Sequence, residues 1–249
     1  MGVQFVILTT ERSGSTWVQL MLHSHPDILC FGEALHLKYP TFSRPYSTDF
    51  PLTYLGFENH SLRQKVLSWI WPERSVQEYI SQLYEAGAAY RAVGFKTHYY
   101  QAEKRRGSLS VLSKTKTKFI HLIRKNALQC VVSKEISRRT KVYNSETELE
   151  QIRLALDPAF VIRKMQERQA IVRKYRERLS KEDCLEVYYE ELFSDPESAF
   201  NPILDFLQVP PAPLSSSVVK LNKEPLKHIL LNYDEVIAEV QNSNLRELE

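Results

Sequence analysis

Arg12, Ser13, Gly14, Ser15 and Thr16 follow one another directly, after an apolar run at Val3–Leu8 and before Trp17, Val18, Met21 and Leu22 at helical spacing. A strand, a tight loop and a helix start form an arrangement in which outward-pointing backbone N–H groups and the helix dipole receive an anion. Gly14 permits close backbone approach, and Ser15 and Thr16 offer hydroxyl donors. Arg12 adds a charge-assisted contact worth roughly 1.5–3 kcal/mol. A loop for magnesium-bound nucleoside triphosphate would read GxxxxGK[ST]. Here no lysine precedes Ser15-Thr16 and the first glycine is missing, so the loop suits a phosphate-like group without that apparatus. The plain alternative is a polar turn that caps a core helix.

Further along, Gly32-Glu33-Ala34 places a carboxylate 21 residues beyond Arg12, and Lys96-Thr97-His98 places a cation and an imidazole at the end of a strand. Arg124-Lys125-Asn126 marks another strand end and opens a helix that carries Ser133. Each has a plain structural reading: a solvated glutamate, a hydrogen-bonded core histidine, an ordinary basic helix start.

The elements that must position these groups read as alternating strands and helices. Short apolar runs at Val3–Leu8, Ile28–Phe31, Ala92–Lys96, Lys118–Ile123 and Leu185–Tyr189 predict buried strands. Val76, Tyr79, Ile80, Leu83 and Tyr84 predict an amphipathic helix, and further helices are expected over Ala127–Arg139, from Pro158 to about Leu179, and over Pro196–Leu207. This alternation implies an α/β fold: a parallel sheet with a phosphate loop, flanked by helices on both faces. No repeat or boundary divides the chain, so residues 1–249 are expected to form a single domain.

At this point the chain resembles the sulfotransferase family that uses 3′-phosphoadenosine 5′-phosphosulfate (PAPS) as donor. Arg12-Ser13-Gly14-Ser15-Thr16-Trp17 is similar to the family's 5′-phosphosulfate loop, above all in its carbohydrate and tyrosylprotein branches. Ile123-Arg124-Lys125-Asn126 through Ser133 resembles the 3′-phosphate segment. Tyr188-Tyr189-Glu190-Glu191-Leu192 with Asp195-Pro196 resembles the YEDL block, and Lys220-Leu221-Asn222 with Asn232-Tyr233-Asp234-Glu235 resembles a closing segment of bacterial carbohydrate-type members. The four blocks occur in the family's order from Val3 to about Val236. One departure concerns spacing. Many members place the 3′-phosphate arginine eight residues before the serine, where this chain has Lys125, with Arg124 nine before. Arg124 is favoured because guanidinium grips phosphate in two-pronged fashion, and Lys125 and Arg138 are the alternatives.

The resemblance implies sulfuryl transfer from PAPS to an acceptor hydroxyl, with 3′-phosphoadenosine 5′-phosphate (PAP) as product and no metal. Arg12 and Lys96 would stabilise charge, in-line as in phosphoryl transfer. Glu33 resembles the base of the carbohydrate and tyrosylprotein branches, whereas His98 resembles the base of the cytosolic enzymes acting on small phenols and alcohols. The loop and the C-terminal blocks favour Glu33, and geometry must decide. Tyr189 would lie near the adenine, or be a buried strand tyrosine. Lys220 joins the donor contacts, and the aromatic stretch Tyr39–Trp71 would wall the acceptor, or simply be core. The acceptor is expected to be a carbohydrate or small-molecule alcohol. The rivals are a kinase with a degenerate phosphate loop and an inactive nucleotide-binding relative.

Composition bounds these readings. A net charge of +3 gives no broad basic field for nucleic acid. No run of 18 apolar residues predicts a membrane span, and the start of the chain lacks the basic and small-residue pattern of a signal peptide. Cys30, Cys130 and Cys184 are odd in number and far apart, which suits a reducing, cytoplasmic compartment. Nothing in the pattern fixes an oligomeric state.

Overall fold

The structure, a computed structural model, describes residues 2–36, 72–141, 152–216, 225–243 and 245. Strands β1 (Val3–Thr9), β2 (Ile28–Glu33), β3 (Ala92–His98), β4 (Lys118–Ile123) and β5 (Cys184–Tyr188) form one sheet in the order β2-β3-β1-β4-β5. Every pairing is parallel. The helices are α1 (Ser15–His23), α2 (Pro72–Ala86), α3 (Tyr99–Lys104), α4 (Ser108–Lys114), α5 (Ala127–Thr140), α6 (Pro158–Leu179), α7 (Tyr189–Ser194), α8 (Pro196–Ala199), α9 (Asn201–Phe206), α10 (Leu226–Ile229) and α11 (Tyr233–Asn242).

The apolar runs form strands because both faces are covered. Along β1, Phe5 and Ile7 pack with Val18 and Leu22 of α1 and with Ile203 and Leu204 of α9. Val6 and Leu8 pack on the other face with Ile80 of α2, Leu112 of α4 and Val172 and Tyr175 of α6. A third cluster joins Val131 and Val132 of α5, Val161 and Met165 of α6, and Val236 of α11. Burying one such side chain contributes roughly 1.5–3 kcal/mol, so the sheet rather than local propensity sets these strand boundaries.

The topology also says where a ligand belongs. From β1 the chain turns toward β2 on one side, whereas from β4 it continues to β5 on the other. The carboxyl ends of β1 and β4 therefore flank the crevice where open α/β sheets bind ligands.

Two expectations need correction. The last strand ends at Tyr188, and Tyr189 opens α7 with its ring packed into the α1 face. The helix expected over Pro196–Leu207 is two short ones, α8 and α9, with Phe200 between them. The aromatic stretch Tyr39–Trp71 and Lys220-Leu221-Asn222 lie outside the described residues.

Candidate active site

The loop after β1 is built to face outward from the sheet. Gly14 precedes α1 in the left-handed region at φ 82°, and no side chain caps the helix. Arg12 is also left-handed, at φ 61°. For a non-glycine residue that conformation costs roughly 1–2 kcal/mol, and neighbouring contacts hold it. The Arg12 carbonyl accepts from Arg124 Nη1 at 3.2 Å and from Cys130 Sγ at 3.5 Å. Arg168 of α6 donates to the Glu11 carbonyl at 2.9 Å, and Lys134 of α5 pairs with the Glu11 carboxylate. Within the loop, Ser13 is fully buried with its hydroxyl 2.8 Å from Thr9 Oγ1, so it fastens the turn to β1. The side of Gly14 where a Cβ would stand is filled by the Tyr189 ring.

Glu33 reaches this loop through an irregularity in the edge strand. Strands β2 and β3 pair from Ile28↔Ala92 to Phe31↔Phe95, and the register then slips so that Glu33 lies opposite Lys96. Gly32 is the extra residue of a bulge, a device that re-aims a side chain. Without the slip Glu33 would stand opposite Thr97 and point to the other face. With it, Glu33 Oε1 lies 3.4 Å from Lys96 Nζ, and the same ammonium donates to Thr16 Oγ1 at 2.6 Å. His98, two residues on and so on the same face of β3, brings Nδ1 to 3.8 Å from Glu33 Oε2. The two base candidates thus stand in one cluster.

A glutamine ties that cluster together. Gln101, fully buried on α3, donates through Nε2 to Glu33 Oε2 at 2.7 Å. Its Oε1 accepts from the His98 backbone N–H at 3.0 Å and from Thr97 Oγ1 at 3.2 Å. The Tyr100 hydroxyl lies 3.2 Å from its Nε2, and the Tyr100 ring stacks against His98 at 5.8 Å. Sequence reading missed both residues. A six-residue helix gives no apolar period, and the glutamine stands three residues after a capping histidine, where a serine or threonine would have marked a capping box.

Burial alone would raise the Glu33 carboxyl, but Lys96, His98 and the Gln101 amide outweigh it and hold it below the usual carboxylate range. Burial pushes the Lys96 ammonium below its ordinary value, against the pull of Glu33. It also pushes His98 down to about 4, again opposed by Glu33. At neutral pH the cluster therefore holds a carboxylate anion and a neutral imidazole, and each has a basic form available.

Across the crevice, Arg12 Nε donates to Ser133 Oγ at 3.1 Å. Arg124, buried, points into the crevice: Nη2 donates to Gln129 Oε1 at 2.7 Å, and the guanidinium lies 4.7 Å from the Tyr189 ring centre. Its Nε is buried without a hydrogen-bond partner among the described residues, with Glu190 Oε1 3.9 Å away. Lys125 turns outward instead, over the Tyr188 ring and onto Glu191 at 3.2 Å. Arg138, exposed, pairs with the buried Glu135 one turn earlier on the same helix at 3.0 Å. Glu190 accepts from the backbone N–H groups of Lys125 and Asn126 at 3.0 and 3.2 Å, which fastens the end of β5 to that of β4. Trp17, Tyr189, Phe193 and Phe200 form an aromatic cluster beside these groups. Among the described residues, no group of three His, Cys, Asp or Glu side chains is placed to hold a metal ion.

The loop at the head of this 2-3-1-4-5 parallel sheet thus has Arg12 and Arg124 beside it, with a carboxylate next to a lysine across from them. Residues 4–213 match the model of the Sulfotransferase family, and the chain belongs to that family. No curated protein sequence matches it significantly. Among solved structures, a sulfotransferase from Alicyclobacillus acidocaldarius is similar at 15% identity, with 100% of this chain and 98% of that one covered and a TM-score of 0.52. The sulfotransferase domain from the curacin biosynthetic pathway is similar at 19% identity, with 86% and 76% covered and a TM-score of 0.49. A mouse sulfotransferase complexed with PAP is similar at 11% identity, with 97% and 63% covered and a TM-score of 0.47. At such identity the first likeness speaks to the fold. No helix among the described residues is long and apolar enough to cross a membrane.

Proposed function

We propose that this sulfotransferase moves the sulfuryl group of PAPS to the hydroxyl of a carbohydrate or small-molecule alcohol, with Glu33 as general base. The carrying observation is that Glu33, anionic and partly buried, shares Lys96 with Thr16 of the loop after β1. A base and a cation thus stand together at the place where the transferred group would be received.

In this reading the loop N–H groups, Arg12, Ser15, Thr16 and Trp17 hold the 5′ end of the donor. Arg124 and Ser133 hold its 3′-phosphate, and the buried Arg124 Nε without a hydrogen-bond partner fits that assignment. Ser13 acts through the loop it fastens, and Lys125 pairs with Glu191 outside the crevice. Tyr189 fills the space over Gly14 and carries Arg124 on its ring, which suits a wall near the base of the nucleotide. The acceptor hydroxyl gives its proton to Glu33 as its oxygen bonds to sulfur. The bond from sulfur to the 5′-phosphate oxygen breaks, and PAP leaves with that electron pair. Lys96 and Arg12 stabilise the charge on the transferred group and on the leaving phosphate. The described residues share one sheet and its covering helices, and we read the chain as a single domain. Three free cysteines suit a reducing compartment.

The test is thermal unfolding with PAP beside ATP and magnesium, followed by transfer of labelled sulfate from PAPS to panels of sugars, alcohols and phenols. A ligand at about 100 times its dissociation constant adds ~2.7 kcal/mol. For a chain of this length that raises the midpoint by roughly 5–10 °C. Stabilisation by magnesium-bound ATP alone would overturn the reading in favour of a kinase.

A further inference from the structure

We propose that Gln101 is the positioning residue of this site, fixing Glu33 as a base by holding its carboxylate and the His98 backbone in one hydrogen-bonded unit. The inference deepens the proposed function and rests on Glu33 being the base. It starts from the geometry of a fully buried amide whose hydrogen-bonding atoms all face the cluster. Nε2 lies 2.7 Å from Glu33 Oε2 and 3.2 Å from the Tyr100 hydroxyl, while Oε1 takes the His98 N–H at 3.0 Å and the Thr97 hydroxyl at 3.2 Å.

Glu33 lies on an edge strand just past a bulge, so the ladder alone does not fix its rotamer. Lys96 cannot fix it either. An ammonium is a rotatable point donor, and this one also serves Thr16. The planar amide supplies the direction that the lysine lacks, and it is anchored to the same strand end that carries His98. Oε2 is thereby engaged by Gln101, and Oε1 is the oxygen turned toward Lys96 and the loop. Oε1 is then the atom that takes the acceptor proton, while Gln101 decides which way the carboxylate faces.

The charged and titratable groups that act on Glu33 are Lys96 and His98 on β3 and Tyr100 on α3; behind them, Arg12 and Cys30 act on Lys96, and Glu11 and His36 act on His98. Replacing Gln101 by methionine keeps the volume and removes the amide. Replacing it by glutamate keeps an acceptor for the His98 N–H but sets a second carboxylate against Glu33. Both changes raise the Glu33 carboxyl, the second more than the first.

The experiment titrates the full-length protein by NMR with carbon-13 at the glutamate carboxyl, using Glu33→Gln to assign the signal, in wild type, Gln101→Met and Gln101→Glu. The expected result is an upward move of the Glu33 midpoint in the order wild type, methionine, glutamate. Forward transfer of labelled sulfate from PAPS to the acceptor that the sugar and alcohol panels identify should fall about tenfold or more in kcat in both variants, as loss of a hydrogen bond to a charged group predicts. The KM for PAPS should hold, and the acid limb of the forward pH profile should move up. An unmoved Glu33 midpoint, or a limb that stays in place in variants that remain folded by circular dichroism, would overturn the positioning role. The titration needs no sulfotransfer, so failure of PAP to bind wild type counts against the proposed function and leaves the titration to judge Gln101 separately.

Discussion

Arg12 Nε donates to Ser133 Oγ across 3.1 Å, joining two residues that stand 121 positions apart in the chain. The bond links the loop after β1 to helix α5 and stretches the guanidinium across the mouth of the crevice. Arg12→Ala should weaken PAP binding by roughly tenfold to a hundredfold, the range expected for one charge-assisted hydrogen bond. Arg12→Lys should recover part of the loss, since lysine keeps the charge but not the fork. Isothermal titration calorimetry checks both, and unchanged affinity in the alanine variant would remove Arg12 from the donor site.

Glu33→Gln keeps the shape of the side chain and removes its basicity. Turnover should fall by about 10²–10⁴, as for loss of a general base, while PAP still stabilises the protein. His98→Ala should cost less. Transfer of labelled sulfate decides the matter: a glutamine variant with near-normal turnover beside a dead alanine variant would hand the role to His98.

Arg124 and Lys125 can be separated by choice of ligand. Wild type should prefer PAP to adenosine 5′-phosphate, which lacks the 3′-phosphate. Arg124→Ala should erode that preference by tenfold or more, on the scale of a charged hydrogen bond, and Lys125→Ala should leave it nearly intact. The reverse pattern in competitive binding would place the 3′-phosphate on Lys125.

Stability should depend on pH through the same cluster. Burial lowers His98 from 6.5 to about 4, so the unfolded chain binds a proton that the folded one refuses between those values. Glu33, also lowered, adds to the same trend as it protonates. The His98 contribution is present at neutral pH and is lost as pH falls through that window toward 4, whereas the Glu33 contribution is lost only from about 4.5 downward. Urea midpoints at several pH values should show this decline, and His98→Gln should flatten it between about pH 6.5 and 4. A wild-type midpoint that rises on acidification would contradict the burial of a neutral imidazole.

Gly14→Ala meets two obstacles. Its backbone sits at φ 82°, and a new Cβ would fall 2.2 Å from the Tyr189 ring. Conformational strain alone costs roughly 1–2 kcal/mol, so the unfolding midpoint should drop by at least a few degrees. Because the ring must shift, PAP affinity should fall as well. A midpoint equal to wild type would show that the loop tolerates another shape.

Much of this was legible in the chain itself. Lys118–Ile123 and Pro158–Leu179 begin and end where their apolar runs and Pro158 place them. Strand β3, however, runs on to His98, because Thr97 and His98 are polar residues buried at the functional edge, where the apolar signal stops before the ladder does. Tyr189 looked like a strand residue by type, but Gly14 leaves room for its ring only when the chain has already turned into α7. Spacing points to Lys125 and residue type to Arg124; the two side chains diverge because Glu191 draws the lysine outward while Gln129 holds the arginine in. Gln101 was invisible, since no pattern of types announces which buried amide will meet which carboxylate.

The bulge at Gly32 has a meaning for how such a protein changes over time. The sheet would lose little if residue 32 were deleted, because β2 is an edge strand and its four preceding pairs with β3 would stand. Glu33 would then follow Phe31 directly and still stand opposite Lys96, so the pairing that brings the carboxylate to the cation survives the loss of the extra residue. The edge strand can therefore be one codon longer or shorter at this point and present its carboxylate to the same face, and lineages could cross between the two lengths without rebuilding the core.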